Sequence, residues 1–96
     1  MKLMLVLSIL LSFHFASAHG SKSELVLAAT VTAVDSFENE EPKEVVMAFN
    51  GLKSWVSGAT IKVKLYYNSN ENSISYDCEM VHSDGGSEEM VCTRKP

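Results

Sequence analysis

The first pattern along the chain, beyond its opening residues, is an apolar stripe at helical spacing. Between Ser23 and Phe37 mostly apolar residues recur every three or four positions, at Leu25, Ala28, Ala29, Thr32, Ala33 and Phe37. This period predicts an amphipathic helix, with Ser23 as its N-cap and Glu24 in its first turn. Because valine and threonine have only moderate helix propensity, a strand is the alternative. Pro42 predicts the end of the element, since a residue before proline avoids helical geometry.

The next segment, residues 43–55, fits two periods. Val45, Met47 and Phe49 alternate as in a strand, whereas Val45, Phe49, Leu52 and Val56 have the spacing of a helix. Two adjacent valines and an Asn-Gly pair within the segment favour a strand with a bulge or a kink.

The remaining half of the chain shows repeated alternation of apolar and polar residues. Ile61–Tyr67 alternates most regularly, and Ile74–Met80 alternates again after a polar loop, Asn68–Asn72. Asp-Gly and Gly-Gly pairs in Ser83–Gly86 predict a turn, after which Glu88–Thr93 returns as the last strand. The whole pattern predicts an α+β domain, in which one N-terminal helix packs on a four-stranded antiparallel sheet.

The opening residues are typical of a secretory signal peptide. Lys2 precedes an apolar run of about 13 residues, and Ala16-Ser17-Ala18 has the small-x-small form of a cleavage site. The run is too short to span a membrane, which takes roughly 20 residues. We therefore expect residues 1–18 to be a signal peptide, residues 19–96 to be one domain, and the product to be secreted and extracellular.

The two cysteines suit an oxidising compartment. Cys78 and Cys92 permit a single intramolecular disulfide, which would cross-link the last predicted hairpin. Closing a loop of this length stabilises a protein by about 3 kcal/mol in the chain-entropy model. A domain of this size buries only about 60% of its unfolded surface, so such a cross-link matters for its stability.

Charge and motifs argue against several classes of function. The formal net charge is -4 and basic residues do not cluster, so we expect neither nucleic acid nor an anionic membrane as partner. Hydrolase, zinc-protease and phosphate-loop motifs are missing from the sequence. His19 and His82 are too few for a copper site of the kind that an N-terminal histidine begins. We expect a protein that is not an enzyme and has no cofactor or metal.

Four stretches in order resemble the cystatins, which are secreted inhibitors of papain-like cysteine proteases. "TAVDSFENE" is similar to the end of the family's helix, and "EVVMAFNGLKSWVSG" to the strand that enters its first inhibitory hairpin. "ATIKVKLYY" is similar to the strand that leaves that hairpin, and Cys78 with Cys92 matches the C-terminal disulfide hairpin. The resemblance spans nearly all of residues 19–96 and implies the same helix-and-sheet fold.

The resemblance also implies three protease-binding regions, each altered here. In the family's first hairpin, Gln-x-Val-x-Gly, Val56 and Gly58 match, but Ser54 replaces the glutamine. The family's second hairpin carries Pro-Trp, whereas this chain has "HSDGG". Gly20 is the candidate for the family's N-terminal glycine. The first of the family's two disulfides is absent. The implied protease-binding residues are Gly20, Ser54, Trp55, Val56, Ser57, Gly58, His82, Ser83 and Asp84.

These regions imply a monomeric wedge that fills the cleft of a cathepsin L- or B-like cysteine protease. Trp55 and Val56 would be the apolar anchors, while Ser57 adds little bulk and Gly58 permits a close approach. The altered motifs imply weak or selective inhibition. Two alternatives remain open: Trp55 is a core residue, or the chain is a secreted binding protein on a cystatin scaffold that inhibits no protease.

Overall fold

A computed structural model describes residues 21–83 and 85–96, and these form an α+β domain. One long helix, α1, packs on a four-stranded antiparallel sheet whose strands lie in the order β1-β2-β3-β4. The elements are α1 Lys22–Glu40, α2 Lys43–Met47, β1 Phe49–Ser57, β2 Thr60–Tyr67, β3 Asn72–His82 and β4 Glu88–Arg94. The predicted fold class is confirmed. The predicted signal peptide, residues 1–18, lies outside the described residues.

Helix α1 is longer than the sequence pattern predicted. Its N-cap is Ser21 and not Ser23, and the Ser21 side chain accepts a hydrogen bond from the Glu24 amide at 3.3 Å. At the other end the Glu41 amide still donates to the carbonyl of Phe37, at 3.1 Å. The helix stops at Glu41, which is extended and precedes proline, as expected for a residue in that position. The N-cap prediction was wrong because two serines in this stretch can fill the role.

The prediction of a strand throughout residues 43–55 was wrong in its first part. Residues Lys43–Met47 form a single helical turn, in which the carbonyl of Pro42 accepts from the amides of Val45 and Val46 at 2.9 and 3.1 Å. Local hydrogen bonds and packing of both valines against the core outweigh their preference for strands. The predicted bulge is confirmed, because the β1–β2 register shifts between Phe49 and Gly51.

The core lies between the helix and the two central strands. Alternate residues of β2 and β3 point towards α1 and are buried, while their neighbours face solvent on the other side of the sheet. The buried residues are Ala29, Ala33, Phe37, Ile61, Val63, Leu65, Ile74, Tyr76 and Cys78. Small side chains on α1 let the helix approach the sheet closely. The strong alternation in the sequence thus identified the two strands that form the centre of the sheet.

Strand β4 is tied to its surroundings by covalent and ionic contacts. Cys78 and Cys92 form the predicted disulfide between directly opposed residues of β3 and β4. Both sulfur atoms lie against the Ala29 carbonyl oxygen, at 3.8 and 3.5 Å, so the cross-link packs on the helix. Further along β4, Arg94 Nε donates to Glu41 Oε2 at 2.7 Å. These contacts hold the carboxyl-terminal strand to both ends of α1's buried face.

Candidate functional site: two hairpin turns beside the start of the helix

The topology places two turns at the same end of the sheet. Because neighbouring strands run antiparallel in sequence order, the β1–β2 turn and the β3–β4 turn both point the same way. Helix α1 begins beside the first of these turns, since Lys22 and Leu25 share a small groove with Val56 and Gly58. Three segments that are distant in the sequence are therefore gathered at one end of the domain.

The first turn is a two-residue hairpin loop. Ser57 pairs with Thr60, which leaves only Gly58 and Ala59 between the strands. Gly58 has a φ of 64° and Ala59 does not have a positive φ, which is the pattern of a type II′ turn. A Cβ atom built on Gly58 meets nothing within 4 Å. The glycine is thus required by the backbone conformation of the turn, and the turn projects into open space.

Trp55 and Val56 are both exposed, on opposite faces of β1. Trp55 is 41% exposed and pairs with Lys62 on the face of the sheet that points away from α1. Val56 is 38% exposed and pairs with Ile61, whose side chain belongs to the core. The alternative that Trp55 is a core residue is wrong. The two predicted anchors are adjacent in the sequence but present their side chains to different sides.

Ser54 lies four residues before Gly58 and faces the helix. Its hydroxyl is hydrogen-bonded to the Thr30 hydroxyl, which in turn donates to the Val26 carbonyl at 2.8 Å. Since Thr30 uses its proton for that carbonyl, Ser54 is the donor of the pair. Ser54 therefore connects β1 to α1, with its hydroxyl directed towards the helix.

A small apolar groove lies between the first turn and the start of α1. Its volume is about 160 Å³, and its walls include Leu25, Val56, Ala59 and Ile61, with Lys22 among the residues around it. Gly58 also lines the groove, and of all its lining residues only Val56 and Gly58 were predicted to belong to a binding site. Leu25 stood in the predicted apolar stripe of the helix, but its position beside the turn of a later hairpin depends on how the helix crosses the sheet.

The second turn extends further than the first. Thr60 is the last residue of β2 at this end and Ile61 pairs with Cys78, whereas β3 continues to His82, which pairs with Glu88. Three residues of strand beyond the level of Thr60 correspond to about 10 Å at 3.3 Å per residue. Within this turn the Ser83 amide donates to the Ser87 carbonyl at 2.9 Å. The two tips are therefore at different heights.

The two turns also differ in charge. Residues 54–60, which form the first tip, include no ionisable side chain. The second hairpin carries Glu79, Glu88 and Glu89 near its tip, and His82 Nδ1 lies 3.2 Å from Glu88 Oε2. Among the predicted site residues, Gly20 and Asp84 lie outside the described part of the chain. Within residues 21–83 and 85–96 no group of three or more His, Cys, Asp or Glu is placed to hold a metal ion.

Comparisons with known proteins identified no relative. No protein-family model matches the chain, and neither characterised proteins nor solved structures gave a significant match. No helix formed by the described residues is long and apolar enough to cross a membrane. The assignment of a function therefore depends on the site itself and on the motifs quoted above.

Proposed function

We propose that this protein is a cystatin-like inhibitor of papain-like cysteine proteases, with weak or selective activity. The observation that supports this most is the exposure of Trp55 and Val56 at the uncharged tip of a hairpin, beside the start of α1 and at the same end as a second turn. A proteolytic cleft that accepts extended peptides is long and largely apolar. An uncharged tip with exposed apolar side chains enters such a cleft at little desolvation cost.

The inhibitor would act as a wedge that the enzyme cannot cleave. The first turn enters the cleft, where Trp55 contacts one wall and Val56 contacts the other, because their side chains leave β1 in opposite directions. Gly58 lets the backbone approach the enzyme closely. No peptide bond is presented to the catalytic thiolate in the geometry that attack requires, so the enzyme is blocked without turnover.

Weak or selective inhibition follows from the altered positions. The Ser54 hydroxyl is already bonded to Thr30, so it adds no contact at the tip. The second turn has lost the aromatic residue that the family uses there. Each missing hot-spot residue costs on the order of 2 kcal/mol, or roughly thirtyfold in affinity. The first hairpin would then supply most of the binding free energy.

A second candidate function is binding to another protein without inhibition. It is favoured by the second turn, which is acidic and extends about 10 Å beyond the first. Two tips at different heights fit one shallow cleft less well than two level tips. On this reading the acidic hairpin selects a basic partner and the cystatin-like scaffold only presents it.

We further propose that the protein acts outside the cell. The signal-like residues 1–18 support this, and so does the disulfide, because such bonds persist in oxidising compartments. The partner would then be an extracellular cysteine protease.

The proposal is tested by titrating the purified protein against papain and a cathepsin L-like enzyme. We expect competitive inhibition, and we expect Trp55→Ala to weaken it by about thirtyfold, because it removes an exposed aromatic anchor. Val91→Ala is the matched control: Val91 is 37% exposed, apolar and placed on the other hairpin, so inhibition should be unchanged. Circular dichroism checks that both variants are folded. Absence of inhibition at tens of micromolar would favour the binding protein instead.

A further inference from the structure

Strand β1 is an edge strand with an unusual number of exposed apolar side chains. Its neighbour on one side is β2, and no other described strand pairs with it. Phe49, Leu52, Trp55 and Val56 are each between 36% and 41% exposed. A long apolar edge offers backbone hydrogen-bonding groups and side-chain surface to another strand. Lys53 is the single charged residue of β1, and the bulge between Phe49 and Gly51 opposes such pairing only at the start of the strand.

The turn geometry identifies which backbone groups of β1 point outwards. In a two-residue hairpin the residues that flank the loop form a hydrogen-bonded pair, so the N–H and C=O of Ser57 face β2. These directions alternate along an antiparallel strand. The N–H and C=O groups of Leu52, Ser54 and Val56 therefore point away from β2, towards the open edge.

This edge is complementary to itself. The regular part of β1 runs from Gly51, after the bulge, to Ser57, before the turn, and its midpoint is Ser54. When two copies pair antiparallel about that midpoint, Ser54 lies opposite Ser54 and the outward groups of Leu52 meet those of Val56. Between these pairs Lys53 of each copy lies opposite Trp55 of the other, a cation facing an aromatic ring, and Gly51 lies opposite Ser57 at the ends of the segment.

Alternative registers are less favourable. Centring the pair on Lys53 places two like charges opposite each other, which destabilises a sheet. Centring it on Trp55 moves the midpoint towards the turns, so that fewer residues of the regular segment overlap. The register about Ser54 uses every regularly paired residue and leaves each lysine opposite a tryptophan.

The helix adds apolar surface beside the same point. Leu27 and Val31 are 57% and 58% exposed. They flank Thr30, which is bonded to Ser54, and they lie on the side of α1 away from the buried stripe of Ala29 and Ala33. A two-fold axis through Ser54, perpendicular to the sheet, places the helices of both copies on one face of an eight-stranded sheet. Leu27, one turn before Thr30 and on the same side of α1, is then the nearer of the two to the interface, while Val31 lies further round the helix.

We propose that β1 is a self-association surface, through which two copies of this chain pair antiparallel with Ser54 at the two-fold axis. The paired segment is short, so the dimer is weak and the monomer expected from the sequence dominates in dilute solution. In the dimer Ser57 of one copy lies opposite Gly51 of the other. Association therefore covers one side of the first hairpin and competes with any partner that uses Trp55.

Sedimentation equilibrium of the purified, disulfide-bonded protein tests this proposal without any protease. The weight-average mass should rise towards twice the monomer mass over a concentration range of about 1 to 500 μM, as for a weak interface. Trp55→Lys places lysine opposite Lys53 twice and should keep the mass at that of the monomer. Val91→Lys, the same change at a similarly exposed residue of β4, should leave association unchanged.

Exchanging the lysine at position 53 with the tryptophan at position 55 tests the register of the dimer. Lys53→Trp combined with Trp55→Lys restores each cation–ring pair, so the double variant should associate again like the original protein. A protein that stays monomeric throughout the range contradicts the proposal. Association of Trp55→Lys alone, failure of the double variant to recover while folded by circular dichroism, or loss of association in Val91→Lys each overturns the assigned pairing.

Discussion

The two hairpins of the sheet have the same topology and are held together in different ways. The β3–β4 hairpin contains the disulfide between Cys78 and Cys92, and its last strand is joined to the helix through Arg94 and Glu41. The β1–β2 hairpin depends on backbone hydrogen bonds, core packing and side-chain hydrogen bonds that include Ser54 with Thr30 and Lys62 with Asp77. The second hairpin is thus the more firmly anchored of the two. The tip of the first hairpin has no charged side chain and is open to a partner.

The outer edges of these hairpins show the same contrast. Strand β4 carries Glu88, Glu89 and Arg94, and charges of this kind discourage the pairing of exposed edges. Strand β1 carries one lysine among exposed apolar residues. Partner strands are thus discouraged at one edge and permitted at the other. Both proposals above use this asymmetry, because both place the contact surface on β1.

The largest expected effect comes from breaking the anchored hairpin. Replacing both cysteines with serine should lower the free energy of unfolding by about 3 kcal/mol, because the unfolded chain regains the freedom that the closed loop removes. Urea denaturation followed by circular dichroism measures the loss. Reducing the disulfide of the unsubstituted protein should lower the free energy of unfolding by a similar amount. An unchanged midpoint in both experiments would show that packing on Ala29, and not the covalent bond, holds β4.

A medium effect is expected at the turn of the other hairpin. Gly58→Ala should cost about 1 kcal/mol of folding free energy, since φ there is 64° and a side chain disfavours that region. Gly51→Ala is the control: a Cβ at Gly51 also meets nothing within 4 Å, and its φ is not positive. That variant should be neutral or slightly stabilising. Equal costs at both glycines, measured by thermal unfolding, would contradict the assigned turn geometry.

The smallest effect concerns a contact that joins the two hairpins on the solvent face. Hydrogen bonds from Lys62 on β2, and then from Lys95 after β4, lower the pKa of Asp77 below its usual value of 3.8. A lowered pKa in the folded state contributes stability above pH 3.8, and this contribution is lost as the pH falls through the folded value. Asp77→Asn should therefore make the free energy of unfolding depend less on pH in the acid range, measured between about pH 6 and pH 2.

Salt provides the control for this last prediction. Because Asp77 lies at the surface, its interaction with the lysines is screened, and the difference between the original protein and Asp77→Asn should shrink in about 1 M salt. A difference that is independent of both pH and salt would indicate that the substitution acts on packing instead of charge.

The ease of prediction differed between the central strands of the sheet and the edge strand β1. Strands β2 and β3 were predictable because each is half-buried, so that apolar residues alternate strictly from Ile61 to Leu65 and from Ile74 to Cys78. Strand β1 is an edge whose apolar residues remain partly exposed on both faces. Its sequence therefore lacks a clear period, and the helical turn at Lys43–Met47 was not predicted.

Of the candidate site, the tip residues Trp55, Val56 and Gly58 were predictable because a Val-x-Gly turn is a local feature of the sequence. The groove that Val56 shares with Leu25 could not be predicted from the sequence, since the two residues are distant in the chain. The opposite directions of Trp55 and Val56 follow from strand geometry, but only once β1 is known to be a strand at that point.

The sequence by itself determined the long helix, the order of the four strands, the single disulfide and the identity of the core strands, because these depend on local period and because two cysteines allow only one intramolecular pairing. Only the tertiary structure decided that Trp55 is exposed, that Ser54 is bonded to the helix and that the second tip extends past the first. Such features depend on strand register and on the path of α1 across the sheet, and both are set by the packing of residues far apart in the chain.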